Sequence, residues 1–378
     1  MGNVVIPVIT LKPKEERRIL RGHLWVYRNE VASLPTLQDG DVADVFSSSR
    51  RFVGRGFYQQ DGGIAVRIIA HHQHDIEPVF FRERLSQARI LREQLFGGSS
   101  VYRWVFGESD LLPGLVIDRY DTVAVIQSDC VFYERHEEML IKELLAVQGV
   151  TSVMTRFSGT KKWAGEKPDI VSLLLDGVRI SLDFSETQKT GLFLDQRCNW
   201  RMMQRYATGK SVLDGCCYHG LWSIHAGLAD AASVLGVDTS SSAIDHARRN
   251  CSLNGLETCI FEQADIEEKL AQGHSYDVIV LDPPAFAKHR AQTKKALSRY
   301  ENLNALAMTA LSPGGILIAC SCSHFVSAEE FLEVLKRAAR TTGRHAQLLE
   351  MHGAAPDHPV LLTMPETAYL KCAALRML

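Results

Sequence analysis

The chain has 378 residues, 46% hydrophobic and 23% charged, with a formal net charge of −2. That length implies two or three domains, and that balance excludes both a disordered chain and a uniformly basic nucleic-acid binder. No apolar run approaches the roughly twenty residues of a membrane span, the opening "MGNVVIPVITLKPKEERRIL" lacks signal-peptide order, and nine scattered cysteines read as reduced thiols, so a cytoplasmic protein with no membrane partner is expected.

From about Lys12 to Ile69 short strand-like runs ("DVADVF", "FVGRGFY", "IAVRII") alternate with Asp-Gly, Ser-Ser and Gly-Gly breaks, the pattern of a small β-domain. Residues 1–70 carry ten Lys/Arg against seven Asp/Glu, a local excess suited to phosphate contacts. In the middle section "EPVFFRERLSQARILREQLF" and "ERHEEMLIKELLAVQG" have helical spacing, and "GLVIDRY" with "TVAVIQ" reads as a hairpin. The stretches "HHQH", Cys216-Cys217 and Cys320-x-Cys322 lack the paired spacing of a zinc site, so no metal is expected.

From about Ser211 strands and helices alternate: "SVLDGC", "HGLWSIHAGLAD", "ASVLGVD", "SSAIDHARRNCSLNG", "CIFEQAD", a short helix, "YDVIVLDPP", "KKALSRYENLNALAMTAL" and "GILIACS". A Ser327…Glu330 capping box then opens the helix "SAEEFLEVLKRAAR". Such alternation predicts an α/β, doubly wound parallel sheet, in which ligands bind beyond the carboxyl ends of the strands. Successive strand ends carry Asp214, Asp238, Asp265, Asp282 and Cys322. No G-x-G-x-x-G or P-loop accompanies them, which argues against a di- or triphosphate. Asp238 suits a ribose diol and Asp265 an adenine amine, and acids suit a sulfonium and an ammonium; S-adenosylmethionine is the ligand that combines these groups.

With these residues in view the chain resembles a class I methyltransferase. More narrowly, "QKTGLFLDQR" (188–197), "LDPPAF" (281–286), "ACSCS" and "DHPVLLTMPETAYLK" (357–371) resemble the RlmI-type family of bacterial large-subunit ribosomal RNA cytosine-5 methyltransferases. "GHLWVYRNEV" (22–31) resembles the opening of its PUA-like RNA-binding β-barrel, and "DLLPGLVIDRY" (110–120) its central domain. The resemblance implies a PUA-like domain over 1–72, a central α+β domain over 73–185 and a Rossmann-like methyltransferase domain over 186–378. It implies Cys322 as the nucleophile that adds to C6 of cytosine, with Asp282 on the N3/N4 edge of the base. Cys320 reads as a buried strand residue.

The cofactor residues so implied are Asp214, Cys217, Tyr218, Gly220, Asp238, Thr239, Asp265, Ile266, Phe193, Arg197 and Asp282. Arg21, Trp25, Lys288 and Arg290 are the RNA-binding candidates, large-subunit ribosomal RNA is the expected partner, and self-association to a homodimer is implied by resemblance alone. Two departures stand out. Ala285 occupies the place where many cytosine-5 enzymes carry a second cysteine. In the strand-one loop, "DGCCYHGLW" has His219 for a small hydroxyl residue and Leu221 for a glycine, which allows weakened cofactor binding or a different packing of the loop. A uracil-5 enzyme, a base N-methyltransferase with Cys322 a bystander, and an inactive RNA-binding assembly protein are the competing readings.

Overall fold

The computed structural model describes residues 6–187, 189–287 and 289–378. The chain divides into two compact units. One gathers the residues up to Pro168 together with Asp357–Thr367; the other gathers Asp169–Thr187, Gly191–Pro356 and Ala368–Leu378. Near its end the chain returns to the first unit, through Asp357–Thr367.

In the first unit the short runs of residues 8–70 form a six-stranded sheet in the order Trp25–Tyr27, Ile64–Ala70, Phe52–Tyr58, Val42–Phe46, Val8–Leu11, Val31–Ser33. The returning tail closes over this core. Met364 is buried with Ile9, Leu11, Val26 and Val66, and Thr363 Oγ1 donates to the Gly22 carbonyl at 2.9 Å. A second sheet runs Thr160–Gly165, Ser152–Phe157, Val123–Ser128, Val116–Tyr120, Val101–Phe106 and includes the expected hairpin. Its helix Pro78–Phe96 starts with proline in its first turn and ends at Gly97 with φ 54°, a conformation that glycine adopts at little cost.

The second unit is a seven-stranded sheet. Its strands are β1 (Ser211–Gly215), β2 (Ser233–Asp238), β3 (Cys259–Gln263), β4 (Tyr276–Leu281), β5 (Leu311–Ser321), β6 (Ala346–His352) and β7 (Lys371–Met377). The spatial order is β3-β2-β1-β4-β5-β7-β6. β1 to β5 pair in parallel, whereas β7 is antiparallel to both β5 and β6. The helices that follow strands β1 to β5 are α1 (Leu221–Leu228), α2 (Ser241–Leu253), α3 (Ile266–Ala271), α4 (Thr293–Ala310) and α5 (Ala328–Thr341).

Parallel strands covered on both faces must be apolar throughout, and Val278, Ile279, Val280 and Leu281 are all buried. The predicted capping box holds α5 at its start: Glu330 N–H donates to Ser327 Oγ at 3.1 Å and Ser327 N–H to Glu330 Oε2 at 2.8 Å. From there Phe331, Val334, Leu335 and Ala338 recur at helical spacing and face the sheet. The hairpin Val171–Leu175/Val178–Leu182 belongs to this unit, with Asn250 Oδ1 of α2 accepting from Ser181 N–H at 2.8 Å. Among the described residues no helix is long and apolar enough to cross a membrane.

Candidate active site

The strand order reverses between β1 and β4, and the carboxyl ends on either side form the crevice where such sheets take ligands. β1 ends on Gly215, where an added Cβ would lie 2.7 Å from Ile266 and 3.1 Å from Leu281, so the close approach of neighbours requires glycine. The loop that follows is bent: Cys216 (φ 62°), Tyr218 (φ 47°) and Gly220 (φ 76°) all have left-handed backbone, which costs the two non-glycine residues about 1 kcal/mol each or more. Such strain persists where the surroundings hold it. Here Cys217 N–H donates to the Val237 carbonyl at 3.0 Å and Tyr218 N–H to Asp238 Oδ2 at 3.0 Å. The Tyr218 ring meets Phe193 at 4.9 Å, and its hydroxyl donates to the Gly191 carbonyl at 3.2 Å. Phe193 and the strand-one loop, predicted from separate motifs, are thus one surface.

The four strand-end acids converge. The Cys216 thiol is pushed well up by burial and then by the negative charges of Asp238, Asp282, Asp214 and Asp265 together. Each acid is held differently. Asp214 is fully buried and its Oδ2 accepts from Ser223 N–H (3.0 Å) and Oγ (2.7 Å), while Oδ1 is a buried oxygen without a partner. Burial pushes its pKa up to about 7, with the charges of Asp282 and Asp238 adding to the rise and the Ser223 bonds opposing it. Asp238 accepts from Tyr218 N–H and, through Oδ1, from Ser240 N–H at 3.0 Å. Asp265 Oδ1 caps α3, accepting from Glu267 N–H at 2.8 Å.

Asp282 is gripped by two residues that sequence reading passed over. Gln196 Nε2 donates to Oδ1 at 3.0 Å and Trp222 Nε1 to Oδ2 at 3.1 Å. Gln196 is itself aimed by Asn199, whose Nδ2 donates to its Oε1 at 2.7 Å. Gln196 lies inside "QKTGLFLDQR", so its signal was the motif; Trp222 had none beyond its place at the start of α1.

On the next strand, Cys320 is buried with its sulfur 3.3 Å from that of Cys372, as a strand-interior residue should be. Cys322 is half-buried just beyond the end of β5, its sulfur 3.9 Å from the Pro283 carbonyl. The thiol therefore stands beside the Asp-Pro-Pro turn that carries Asp282. Around it lie further residues missed in the sequence. Tyr300 Oη and Ser323 Oγ share a 3.0 Å hydrogen bond, the His324 and Tyr369 rings stack at 4.8 Å, and Tyr369 Oη donates to Asp195 Oδ2 at 2.5 Å.

Other candidates are packed or paired within the protein. Arg197 is buried and its guanidinium spans Asp176, Nε to Oδ2 at 2.8 Å and Nη2 to Oδ1 at 2.5 Å. It anchors the turn of the 171–182 hairpin. The Cys217 and Ile266 side chains are buried, and Thr239 is exposed with its carbonyl accepting from Gln263 Nε2 at 3.0 Å. The departure at His219 points inward: the ring is buried 4.8 Å from that of His246, and burial pushes its pKa down to about 3, so it is a neutral packing group. Leu221 is likewise buried, at the start of α1.

Of the RNA-binding candidates, Arg21 and Arg290 are exposed and Lys288 lies outside the described residues. Trp25 is already engaged: its indole N–H donates to Glu108 at 2.8 Å and the Arg67 guanidinium sits over its ring at 5.6 Å.

A basin of four carboxylates, one with a buried unsatisfied oxygen, bordered by Phe193 and Tyr218 and without a phosphate cradle, fits a cationic adenosine-type ligand. Comparison with known proteins gives the same answer. A PUA-like domain family model matches residues 9–71, and an S-adenosylmethionine-dependent methyltransferase family model matches residues 146–365. The protein named ribosomal RNA large subunit methyltransferase I of Shewanella amazonensis is 36% identical over 396 residues, covering 96% of this chain and 97% of its own. Its namesake in Pseudoalteromonas atlantica is 35% identical over 384 residues with the same coverage. Among solved structures, that of SMU.776 complexed with SAH superposes with a TM-score of 0.89, at 18% identity, over 98% of this chain and 100% of that one.

Proposed function

We propose that this chain, which belongs to the ribosomal RNA large subunit methyltransferase I family and takes S-adenosylmethionine as its cofactor, methylates C5 of a cytosine in large-subunit ribosomal RNA through a covalent adduct with Cys322. The observation that carries this reading is the pairing at adjacent strand ends. Asp282 is fixed by Gln196 and Trp222, and the Cys322 sulfur lies against the next residue's carbonyl.

Bound S-adenosylmethionine supplies an electrophilic methyl group, and the acidic basin is the place for it. Asp238 spends one lone pair of each oxygen on backbone N–H groups and keeps the others for a ribose diol. Asp214 keeps Oδ1 for a positive group.

C5 of cytosine is a weak nucleophile, and the thiolate of Cys322 makes it a strong one by adding to C6. The C5–C6 π pair is then part of an enamine whose C5 takes the methyl group as the S–CH3 bond breaks, and S-adenosylhomocysteine would leave as the neutral thioether. Asp282 receives the amino edge of the base, and because Gln196 and Trp222 hold both of its oxygens, the carboxylate is oriented before the base arrives. Loss of the C5 proton to a base and departure of the sulfur from C6 restore the aromatic ring. A base within folded RNA leaves its stack to reach this corner. The PUA-like domain, with exposed Arg21, and the basic stretch at Arg290 are the proposed RNA contacts, and that substrate places the enzyme in the cytoplasm.

The test is direct. Purified protein is incubated with methyl-labelled S-adenosylmethionine and ribosomal RNA from a strain lacking the gene, and the labelled nucleoside is identified by mass spectrometry. Label in 5-methylcytidine that disappears in Cys322→Ala supports the reading. Label in 5-methyluridine or an N-methylated base, or 5-methylcytidine that survives Cys322→Ala, refutes it.

A further inference from the structure

One charged side chain in the methyltransferase unit has no role in the account so far. Lys371, the first residue of β7, is 4% exposed, and it is held by two backbone carbonyls rather than by a carboxylate: Nζ donates to Ser323 O and to Tyr369 O, each at 2.7 Å. Burying an ammonium with neutral partners alone is costly, and a purely structural brace between two carbonyls needs no charge.

The location supplies a reason. In the antiparallel β5–β7 pairing Lys371 stands opposite Ser321, the residue before Cys322, and its Nζ is bonded to the carbonyl of Ser323, the residue after it. The ammonium therefore brackets the thiol along the chain. Burial pushes the lysine down to about 8, and the negative charges of Cys322 and Glu330 act in the opposite direction. The other ionisable groups nearby have partners of their own: Asp282, on the Pro283 side of the thiol, accepts from Gln196 and Trp222, and the His324 ring stacks on Tyr369. Glu330 accepts from Ser327 N–H in the α5 capping box, Tyr300 of α4 shares its hydrogen bond with Ser323, Cys372 faces Cys320, and Tyr369 donates to Asp195.

We propose that Lys371 is a positioning residue that keeps Cys322 as a thiolate and fixes the backbone on its far side. The S–H bond breaks with its proton passing to solvent, the electron pair stays on sulfur, and the lysine remains an ammonium beside it. When sulfur bonds to C6 the charge it faces is gone, and it returns when the adduct breaks down. This inference rests on Cys322 being the nucleophile, a reading that the labelling of Cys322→Ala tests separately.

The experiment needs neither RNA nor cofactor. The full chain is alkylated with iodoacetamide between pH 5 and 10, and modification of the Cys322 peptide is followed by mass spectrometry. We expect a midpoint below the ordinary thiol value of about 8.5. Lys371→Met is expected to raise that midpoint by about one unit and to slow alkylation at pH 7 about tenfold, while Lys371→Arg keeps the low midpoint. A Lys371→Met midpoint equal to the wild type's overturns the proposal. If that variant does not fold, the wild-type curve decides alone: a midpoint at or above 8.5 overturns the proposal, and one clearly below supports it. Loss of methylation in Cys322→Ala together with an unshifted Lys371→Met midpoint leaves the nucleophile standing and removes the lysine.

Discussion

The two halves of the crevice are held in different ways. On the β1–β2–β3 side the acids are tied to backbone or to a buried helix start: Asp214 to Ser223 of α1, Asp238 to the N–H groups of Tyr218 and Ser240, Asp265 to the first turn of α3. On the β4–β5 side the reactive groups are held by side chains from distant segments, with Gln196 and Trp222 on Asp282. Backbone anchoring fixes a loop and leaves lone pairs for a cofactor that every turnover shares. Side-chain anchoring sets the direction of one carboxylate against one base. Substitutions on the second side should therefore damage chemistry with little effect on the fold, and those on the first should alter cofactor affinity and stability together.

The sharpest way to break that contrast is Asp282→Ala. It should lower methyl transfer by about 10³-fold while the melting temperature stays near the wild type's, measured by single-turnover methylation and thermal unfolding. Equal losses in both would erase the distinction.

Arg197→Ala provides the opposite signature. It leaves Asp176 to the exposed Arg201, whose Nη2 lies 3.2 Å from Oδ2, and about 2 kcal/mol of stability should be lost in urea unfolding. The folded fraction should still bind S-adenosylhomocysteine with affinity close to the wild type's, as calorimetry would show. A large loss of affinity with stability intact would return Arg197 to the cofactor site.

A smaller effect is expected at Gln196→Leu, which removes one of the two donors to Asp282. About tenfold slower methylation with cofactor affinity unchanged is the expected outcome.

The smallest effect concerns pH. Asp214 has a folded-state pKa raised to about 7, above its unfolded value. Its contribution favours the folded state below the unfolded carboxylate pKa and is lost as pH rises through about 7, the reverse of a salt-bridged acid. A cation bound beside Oδ1 would favour the ionised form, so S-adenosylhomocysteine affinity should strengthen from pH 6 to 8 with proton release. Asp214→Asn should flatten that dependence in calorimetry, and an unchanged slope would remove Asp214 from the cofactor site.

The contrast also explains what could be read in the sequence. The α/β alternation, the strand ends carrying Asp214, Asp238, Asp265, Asp282 and Cys322, and the α5 capping box were legible because each is set by local periodicity and turn chemistry. The roles of Gln196, Trp222 and Lys371 were not, because their partners lie 86, 60 and 48 residues away: Gln196 and Lys371 stand inside quoted family motifs that give them no partner, and Trp222 stands in none of those motifs. Strands β6 and β7 were also missed. "KCAALRM" alternates weakly because every residue but Arg376 is buried. The inward packing of His219 and the engagement of Trp25 depend on His246 and Glu108, contacts that only the fold brings together.

The most direct test of the central claim replaces cytidine in the target RNA by 5-fluorocytidine. Fluorine at C5 cannot leave as a proton, so a thiolate added to C6 becomes trapped after methyl transfer. The account predicts a denaturation-resistant protein–RNA adduct that requires S-adenosylmethionine, maps to the Cys322 peptide and is absent in Cys322→Ala. Methylation of unmodified RNA by the same preparation, with no adduct on the fluorinated RNA, would contradict it.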